Sequence, residues 1–220
     1  MVNKMNLLFD LDGTLTDPKQ GIVASINYAL KELSFPAREE AELERFVGPP
    51  LIDTFRILLR TNDENLLMQA VELYRERYFA QGYLENYVYE GIGELLAACV
   101  QSGFKLFVAT YKRQDIAVRV LEHFHLADYF DGIYGCDIGL AKAELIGQVL
   151  DEQGLTASDC MMIGDRKHDI EAGKANGMPT IGVLWGYGTL EEFMAADPDY
   201  TVGCPRELMG VLNVGLMHGR

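Results

Sequence analysis

Two aspartates separated by one residue follow the first apolar run of the chain, in the segment FDLDGTLTD at residues 9–17. Side chains two positions apart in an extended chain share a face, so Asp10 and Asp12 can converge while Leu11 points away. Two carboxylates with nearby carbonyl oxygens suit a hard divalent cation such as Mg2+. An EF-hand loop is excluded, because Gly13 would stand at loop position four and Gly21 at position twelve, which requires Glu. A polar turn with capping aspartates remains the alternative interpretation.

Polar and charged side chains also follow the later apolar runs. The run KLFVAT ends in Thr110, whose hydroxyl can donate to a phosphate oxygen, and Lys112 comes two residues later. The run CMMIG leads into GDRKHD, which holds a second carboxylate pair, Asp165 and Asp169. Lys142 in GLAKAELI stands near the start of a helical pattern. Each residue alone is more often a cap or a surface charge, but together they predict a site where strands end.

Short apolar runs alternate with helical patterns along most of the chain. The runs are MNLLF, KLFVAT, GIYG, CMMIG and PTIGVLW, followed by a weaker DYTV. This alternation predicts an α/β fold with a doubly wound, Rossmann-like parallel sheet covered by helices on both faces. Ligands bind such sheets at the carboxyl ends of the strands, which is where the candidate residues lie.

The stretch between MNLLF and KLFVAT is too long for an ordinary crossover. It shows helical periodicity around residues 20–34, 51–60 and 64–81 and almost no strand-like run. We therefore expect an inserted all-helical cap domain at residues 16–86, and a core domain formed by residues 1–15 and 87–220.

Composition limits the classes of function. The chain has 220 residues, of which 49% are apolar and 24% charged, and its net charge is -14. This charge argues against nucleic acid as a partner, and an anionic substrate would need a locally positive site. The apolar runs are too short to span a bilayer, the start lacks a signal-peptide pattern, and the four cysteines form no CxxC pair. We expect a cytoplasmic protein with reduced thiols and no membrane partner.

The motifs resemble a known family. FDLDGTLTD, Thr110, Lys142 and GDRKHD resemble, in order, the four motifs of the haloacid dehalogenase superfamily, and specifically its Mg2+-dependent phosphatases with a helical cap inserted after the first motif. FVGPPL, ENYVYEGI and the HD of GDRKHD are similar to the branch of phosphoglycolate phosphatases and 5'-nucleotidase-like enzymes. The resemblance covers essentially the whole chain.

The resemblance implies a covalent mechanism for phosphomonoester hydrolysis. Asp10 would attack phosphorus to form an aspartyl-phosphate, which water then hydrolyses. Asp12 would protonate the leaving alcohol and later accept a proton from the attacking water. This double duty accounts for a second carboxylate so close to the nucleophile.

The resemblance also implies how charge is neutralised around the phosphate. The expected Mg2+ site consists of Asp10, Asp12 through its backbone carbonyl, Asp165 and Asp169. Lys142 would supply further positive charge, and Thr14 and Thr110 would orient the phosphoryl oxygens. The segment that leads to Lys142, YGCDIGLAK, looks shorter than the usual spacing in relatives.

Specificity is expected to come from the cap and from residues near it. Arg45 and Gly48, which opens a GPP turn, are candidate substrate-binding residues, as is Tyr111, which stands where relatives carry Ser or Asn. Tyr83, Tyr87 and Tyr89 near the return to the core are weaker candidates. Each has a structural alternative, since the arginine can be solvated, the prolines can end a helix and the tyrosines can pack.

The residues of the motifs also bear on three other functions. A phosphomutase of the superfamily would carry His where this chain has Ile22, and a dehalogenase would lack the second aspartate. A non-catalytic phospholigand-binding module is the alternative from a different class. The preferred hypothesis is a phosphatase of a small phosphorylated metabolite, phosphoglycolate first and a nucleoside monophosphate second, acting as a monomer or homodimer.

Overall fold

The computed structural model describes residues 5–136 and 140–215, and its largest element is a six-stranded parallel sheet. Within these residues the strands are β1 (Asn6–Phe9), β2 (Thr16–Asp17), β3 (Tyr87–Val88), β4 (Lys105–Thr110), β5 (Gly132–Gly135), β6 (Cys160–Gly164), β7 (Thr180–Val183) and β8 (Tyr200–Val202). The six apolar runs predicted as strands coincide with β1, β4, β5, β6, β7 and β8. The prediction of an α/β fold is confirmed.

The sheet is doubly wound. Its order is β5-β4-β1-β6-β7-β8, and β2 and β3 form a separate two-stranded sheet. After β1 the chain builds β4 and β5 on one side, then returns to build β6, β7 and β8 on the other. Leu8 of β1 pairs with Phe107 of β4 and Met162 of β6, so β1 is central. The direction of winding reverses beside β1, where such folds bind ligands at the carboxyl end.

Six α-helices follow the return of the chain to the sheet. They are α5 (Ile92–Gln101), α6 (Gln114–His123), α7 (Lys142–Gln153), α8 (Lys167–Ala175), α9 (Leu190–Ala196) and α10 (Pro205–Val211) in the described part of the chain. Ile146 and Val149 of α7 are fully buried in one cluster with Leu8, Phe107 and Met162. Burying each such side chain contributes roughly 1.5–3 kcal/mol, so α7 is fixed to the sheet by its apolar face.

A second unit is helical. Four α-helices precede β3 within the described residues, and they are α1 (Lys19–Glu32), α2 (Glu40–Leu43), α3 (Leu51–Leu59) and α4 (Glu64–Ala80). Helices α1, α3 and α4 coincide with the three predicted helical stretches. Gly21 of α1 donates its N–H to the carbonyl of Glu85 at 3.1 Å, and a Cβ at Gly21 would overlap the carbonyl of Gly82. This glycine therefore allows the segment after α4 to pack closely against α1.

The chain divides by its internal contacts into two compact units. One comprises residues 1–16 and 88–220 and holds the six-stranded sheet, and the other comprises residues 17–87 and holds α1 to α4. The helical insertion in an α/β fold is thus present, and its service as a cap stays a prediction. In the described part of the chain, each helix is too short or too polar to cross a membrane.

Candidate active site

The candidate residues of the sheet-containing unit lie near the carboxyl ends of the central strands, and all except the half-buried Tyr111 are buried. Asp10 and Asp12 follow β1, Thr110 ends β4, and Asp165 follows β6. The buried polar or charged set includes Asp10, Asp12, Thr14, Thr110, Lys142, Asp165 and Asp169. Because burying a charge is costly unless it is paired, a group of this kind is maintained only where partners compensate it or where function requires it.

Three of the carboxylates form a compact acidic cluster. Asp10, Asp165 and Asp169 each offer an oxygen, and these three oxygens lie within 4.8 Å of one another. Asp165 is held on both sides, since its Oδ1 accepts from the Thr14 hydroxyl at 3.2 Å and its Oδ2 accepts from the Tyr187 N–H at 2.8 Å. Oxygen ligands at this spacing fit a hard divalent cation.

Burial and mutual repulsion disfavour the charged form of these acids. Burial raises the pKa of Asp165 well above its ordinary value, and the carboxylates of Asp169 and Asp10 raise it further. Burial also raises the pKa of Asp169 to about 6, against the opposing effect of Lys142. Both shifts indicate that the site lacks positive charge.

Lys142 neutralises part of this negative charge. It is the first residue of α7, and its Nζ lies 3.0 Å from Oδ2 of Asp10 and forms a second ion pair with Asp169. Its side chain is only 2% exposed. Burial opposes its charge, but the carboxylates of Asp10 and Asp169 outweigh burial and raise its pKa above the ordinary value. Lys142 is therefore a fixed cation between two of the three clustered acids.

Asp12 has a different partner. Its Oδ2 lies 2.7 Å from Nζ of Lys112, and both side chains are largely buried. Its Oδ1 is buried and has no hydrogen-bond partner among the described residues. Burial raises the pKa of Asp12, while Lys112 lowers it. Asp12 thus has one oxygen engaged by a lysine and one oxygen free to meet a reacting group.

The balance of charge supports a divalent cation. Four buried carboxylates, those of Asp10, Asp12, Asp165 and Asp169, contact or surround two ammonium groups, those of Lys112 and Lys142. When all are ionised, two negative charges remain in excess. The donor set and the charge deficit therefore both fit a divalent metal ion, and its site would be the cluster of Asp10, Asp165 and Asp169.

The turn after β1 depends on a glycine. Gly13 has φ +85°, a conformation that other residues rarely adopt, and its N–H donates to the carbonyl of Thr16 at 2.7 Å. A Cβ at Gly13 would overlap the carboxylate of Asp165. The turn and the acid from β6 can approach each other only because this position carries no side chain.

A loop that the sequence analysis missed covers Asp165. It follows β7 and contains Trp185, whose Nε1 donates to the carbonyl of Thr14 at 2.9 Å, and Tyr187, whose N–H reaches Asp165. A Cβ at Gly186 would overlap the carbonyl of Gly13. The signal was available, since GYG directly follows the predicted strand PTIGVLW and so begins at the same edge of the sheet. Lys112 was noted among the residues that follow the strands, but it was given no role in the predicted site.

Thr110 and Tyr111 connect β4 to the same site. Thr110 Oγ1 accepts from the N–H of Lys112 at 3.2 Å, which fixes the backbone that carries this lysine. The hydroxyl of Tyr111 accepts from the N–H of Lys142 at 3.2 Å. The structure therefore brings together the predicted residues that belong to the sheet-containing unit, and their chemical roles stay predictions.

The two predicted substrate residues of the helical unit have local contacts. The guanidinium of Arg45 lies 4.7 Å from the ring centroid of Phe46, and Gly48 has φ +102° in the turn that precedes α3. Their role in binding substrate stays a prediction.

Comparison with known proteins identifies the class. The family model described as haloacid dehalogenase-like hydrolase matches residues 7–183. The chain is 44% identical to a protein of Pseudomonas aeruginosa named 5'-nucleotidase, over 89% of each chain. It is 37% identical to the tyrosine-protein kinase PtkA of Mycobacterium tuberculosis, over 83% of this chain and 62% of that one. It is 29% identical to a phosphoglycolate phosphatase of Vibrio vulnificus, over 94% and 96% of the two chains.

A solved structure shows the same architecture. A predicted phosphatase from Clostridium acetobutylicum superposes with a TM-score of 0.91 at 38% identity, covering 96% of this chain and 100% of that one. With the family match over most of the sheet-containing unit, this places the chain in the haloacid dehalogenase-like hydrolase family. Within that family the chain is a phosphoric monoester hydrolase.

Proposed function

We propose that this enzyme hydrolyses the phosphomonoester of a small metabolite through an aspartyl-phosphate on Asp10, with Mg2+ as the metal. The supporting observation is the arrangement around Asp10, whose carboxylate contacts the buried ammonium of Lys142 and lies in the cluster with Asp165 and Asp169. A carboxylate held between a fixed cation and a metal site can approach a dianionic phosphate with less repulsion.

In the first step, an oxygen of Asp10 forms a bond to phosphorus while the bond from phosphorus to the ester oxygen breaks. Asp12 donates a proton to the departing alkoxide. Its buried Oδ1, which has no hydrogen-bond partner among the described residues, is the atom suited to hold that proton. Lys112 on the other oxygen holds the carboxyl group in place.

In the second step, water attacks the phosphorus of the aspartyl-phosphate and Asp12 accepts its proton. Phosphate leaves and Asp10 is restored. Thr14 and Thr110 are proposed to orient the phosphoryl oxygens, and the ammonium of Lys142 to stabilise the charge that develops on them. Asp12 returns to its protonated form, ready for another ester.

The metal would be held by the carboxylates of Asp10, Asp165 and Asp169, with the backbone carbonyl of Asp12 as a further oxygen ligand. When bound, it supplies Lewis-acid stabilisation of negative charge on the phosphoryl group. The Thr14 hydroxyl and the Tyr187 N–H keep Asp165 oriented for this task.

A nucleoside 5'-monophosphate is the substrate that we propose first. The relative named 5'-nucleotidase is 44% identical, whereas the phosphoglycolate phosphatase is 29% identical. This comparison favours the second of the two substrates considered from the sequence. Arg45 and Gly48 of the helical unit are proposed to contact the alcohol half of the substrate. We further propose that the enzyme works in the cytoplasm, which agrees with four free cysteines, and as a monomer or homodimer.

The reaction is tested with Asp10→Asn and the matched control Asp151→Asn, which makes the same change on the exposed side of α7. With p-nitrophenyl phosphate and Mg2+, Asp10→Asn should lose at least roughly 1,000-fold in kcat and the control should keep full activity. Activity of Asp10→Asn near that of the wild type would remove Asp10 as the nucleophile. Transfer of phosphate from ATP to a tyrosine peptide, without ester hydrolysis, would contradict the proposed reaction.

The substrate is tested by measuring kcat/KM for nucleoside 5'-monophosphates, phosphoglycolate and sugar phosphates. A nucleoside monophosphate should rank first, and Arg45→Ala should raise its KM without affecting p-nitrophenyl phosphate. Arg56→Ala is the control, since Arg56 pairs with Asp53 on the exposed side of the same helical unit. A higher kcat/KM for phosphoglycolate would overturn the choice of substrate and leave the reaction standing.

A further inference from the structure

The helix that carries Lys142 begins without an ordinary cap. The N-cap of α7 is Ala141, which has no side-chain oxygen to accept the free N–H groups of the first turn. The carboxylate of Glu144 accepts from the N–H of Ala141 at 3.1 Å. The N–H of Lys142, one residue further on, needs an acceptor from elsewhere in the fold.

Tyr111 provides that acceptor. Its hydroxyl oxygen accepts from the N–H of Lys142 at 3.2 Å, across 31 positions of sequence. Tyr111 follows directly on Thr110, the last residue of β4. The first residue of α7 is therefore tied to the end of a central strand by a side chain, and its position is set by the sheet.

The ring of Tyr111 contacts the ammonium group of Lys142. Nζ of Lys142 lies 5.5 Å from the ring centroid, within the range of a cation–π contact. The ring in turn packs edge-on against His168, with centroids 6.2 Å apart and planes at 80°. One aromatic side chain thus contacts Lys142 at both its backbone N–H and its ammonium group.

We propose that Tyr111 is a positioning residue that holds Lys142 against Asp10 and Asp169, an inference that rests on the proposed function. The hydroxyl fixes where α7 starts, and the ring limits where the ammonium can go. Direct contact with substrate, which the sequence suggested for Tyr111, is not needed for this role. Loss of the hydroxyl should let Lys142 shift and weaken stabilisation of the reacting phosphoryl group.

The chain offers a matched control at the other end of α7. The hydroxyl of Tyr134 on β5 accepts from Nε2 of Gln153, the last residue of α7, at 2.7 Å. Tyr111→Phe and Tyr134→Phe each remove one tyrosine hydroxyl bonded to the same helix. Tyr111→Phe should lower kcat about 3- to 10-fold with little change in KM, and Tyr134→Phe should change kcat less than about twofold.

Two further variants separate positioning from general structure. Tyr111→Leu also removes the ring, and it should lower kcat about threefold more than Tyr111→Phe does. In a Lys142→Ala background, Tyr111→Phe should change the residual kcat less than about twofold, because the residue that it positions is gone. A further 3- to 10-fold loss in that background overturns the inference.

Hydrogen exchange gives a readout that needs no activity. The Lys142 amide should exchange faster in metal-free Tyr111→Phe than in the wild type or Tyr134→Phe. If the Lys142 amide exchanges no faster in Tyr111→Phe, the positioning inference is overturned and the proposed function is not. Equal kcat for Tyr111→Phe and Tyr134→Phe in an active enzyme has the same consequence. A wild-type protein with no Mg2+-dependent phosphatase activity overturns the proposed function, and the inference falls with it even if the exchange rates differ.

Discussion

Two ion-pair networks, one in each unit, differ in how completely their charges are satisfied. In the helical unit, Arg77 donates to both oxygens of Glu85 at 2.9 Å and to the hydroxyl of Ser25 at 3.1 Å, while that hydroxyl donates to the carbonyl of Gly21. One cation meets one carboxylate with matched geometry. In the sheet-containing unit, Lys142 is shared between Asp10 and Asp169, and Asp165 accepts from two neutral donors, the Thr14 hydroxyl and the Tyr187 N–H.

The network of the helical unit therefore stabilises the fold, whereas the network of the sheet-containing unit is unfavourable for folding. The pKa of Asp165 and of Asp169 is raised, which means that each acid is destabilised in its charged form. A buried polar network with missing partners is unfavourable for folding, and it is retained where a ligand completes it. Substitutions in the two networks should therefore affect activity and stability in different proportions.

Removal of Lys142 should have the largest effect. Lys142→Ala leaves Asp10 and Asp169 without their shared cation, so we expect a loss of roughly 3–5 kcal/mol in the free energy of unfolding without metal. The kcat should fall at least roughly 1,000-fold. Denaturant unfolding and steady-state kinetics measure the two effects, and retention of wild-type kcat would contradict the assignment of Lys142 to the site.

Metal should complete the deficient network. At a Mg2+ concentration of about 100 times Kd, mass action should stabilise the folded protein by about 3 kcal/mol. Asp165→Asn removes a proposed ligand and should abolish most of this gain, whereas Asp151→Asn on the surface should keep it. Thermal unfolding with and without Mg2+ measures the effect, and an equal gain in Asp165→Asn would exclude this cluster as the metal site.

The metal-free protein should lose stability through Asp169 as the pH rises. Its pKa is about 6 in the folded state and close to the ordinary value of 3.8 when unfolded. Between these values the folded state binds more protons, so rising pH favours unfolding through this group, and the effect is complete above pH 6. Relative to Asp169→Asn, the wild type should lose on the order of 1–3 kcal/mol between pH 4 and 7. An opposite slope would contradict the burial of an acid whose charge Lys142 compensates only in part.

The network of the helical unit should show the smallest effect, and mainly on stability. Arg77→Met keeps much of the side-chain volume but leaves Glu85 unpaired, and should cost about 1–3 kcal/mol in the free energy of unfolding. Well below the unfolding temperature, kcat for p-nitrophenyl phosphate should stay within about threefold of the wild type. A loss in kcat comparable to that of Lys142→Ala would erase the distinction between the two networks.

The strands and the carboxylates could be predicted because their signals are local. KLFVAT and CMMIG coincide residue for residue with β4 and β6, since a central parallel strand is buried on both faces and is encoded as a short apolar run. GIYG also coincides with β5, although this strand lies at the edge of the sheet and is half-buried. Asp10 and Asp165 follow such runs, so the edge of the sheet that they share follows from the fold class. Their fine geometry does not.

Other features depend on contacts between distant segments and could not be derived from a local pattern. In the sequence, Lys112 resembles a solvated residue at the start of a helix. Its ion pair with Asp12 becomes evident only in the structure. The N–H of Tyr187 reaches Asp165 across 22 positions, and the hydroxyl of Tyr111 meets the start of α7 across 31. Sequence order alone does not reveal which of several side chains at one sheet edge will face each other.

Gly13 limits how the site can vary. Its positive φ and the overlap of any Cβ with Asp165 are independent obstacles to substitution. A shift of Asp165 would remove the overlap with the Cβ but not the unfavourable φ. A change in the backbone at Gly13 would remove the unfavourable φ but would displace the turn after Asp12. One further substitution therefore could not restore activity to Gly13→Ala. We expect a random-mutagenesis library to contain no active variant in which Gly13 is replaced and only one other residue is changed.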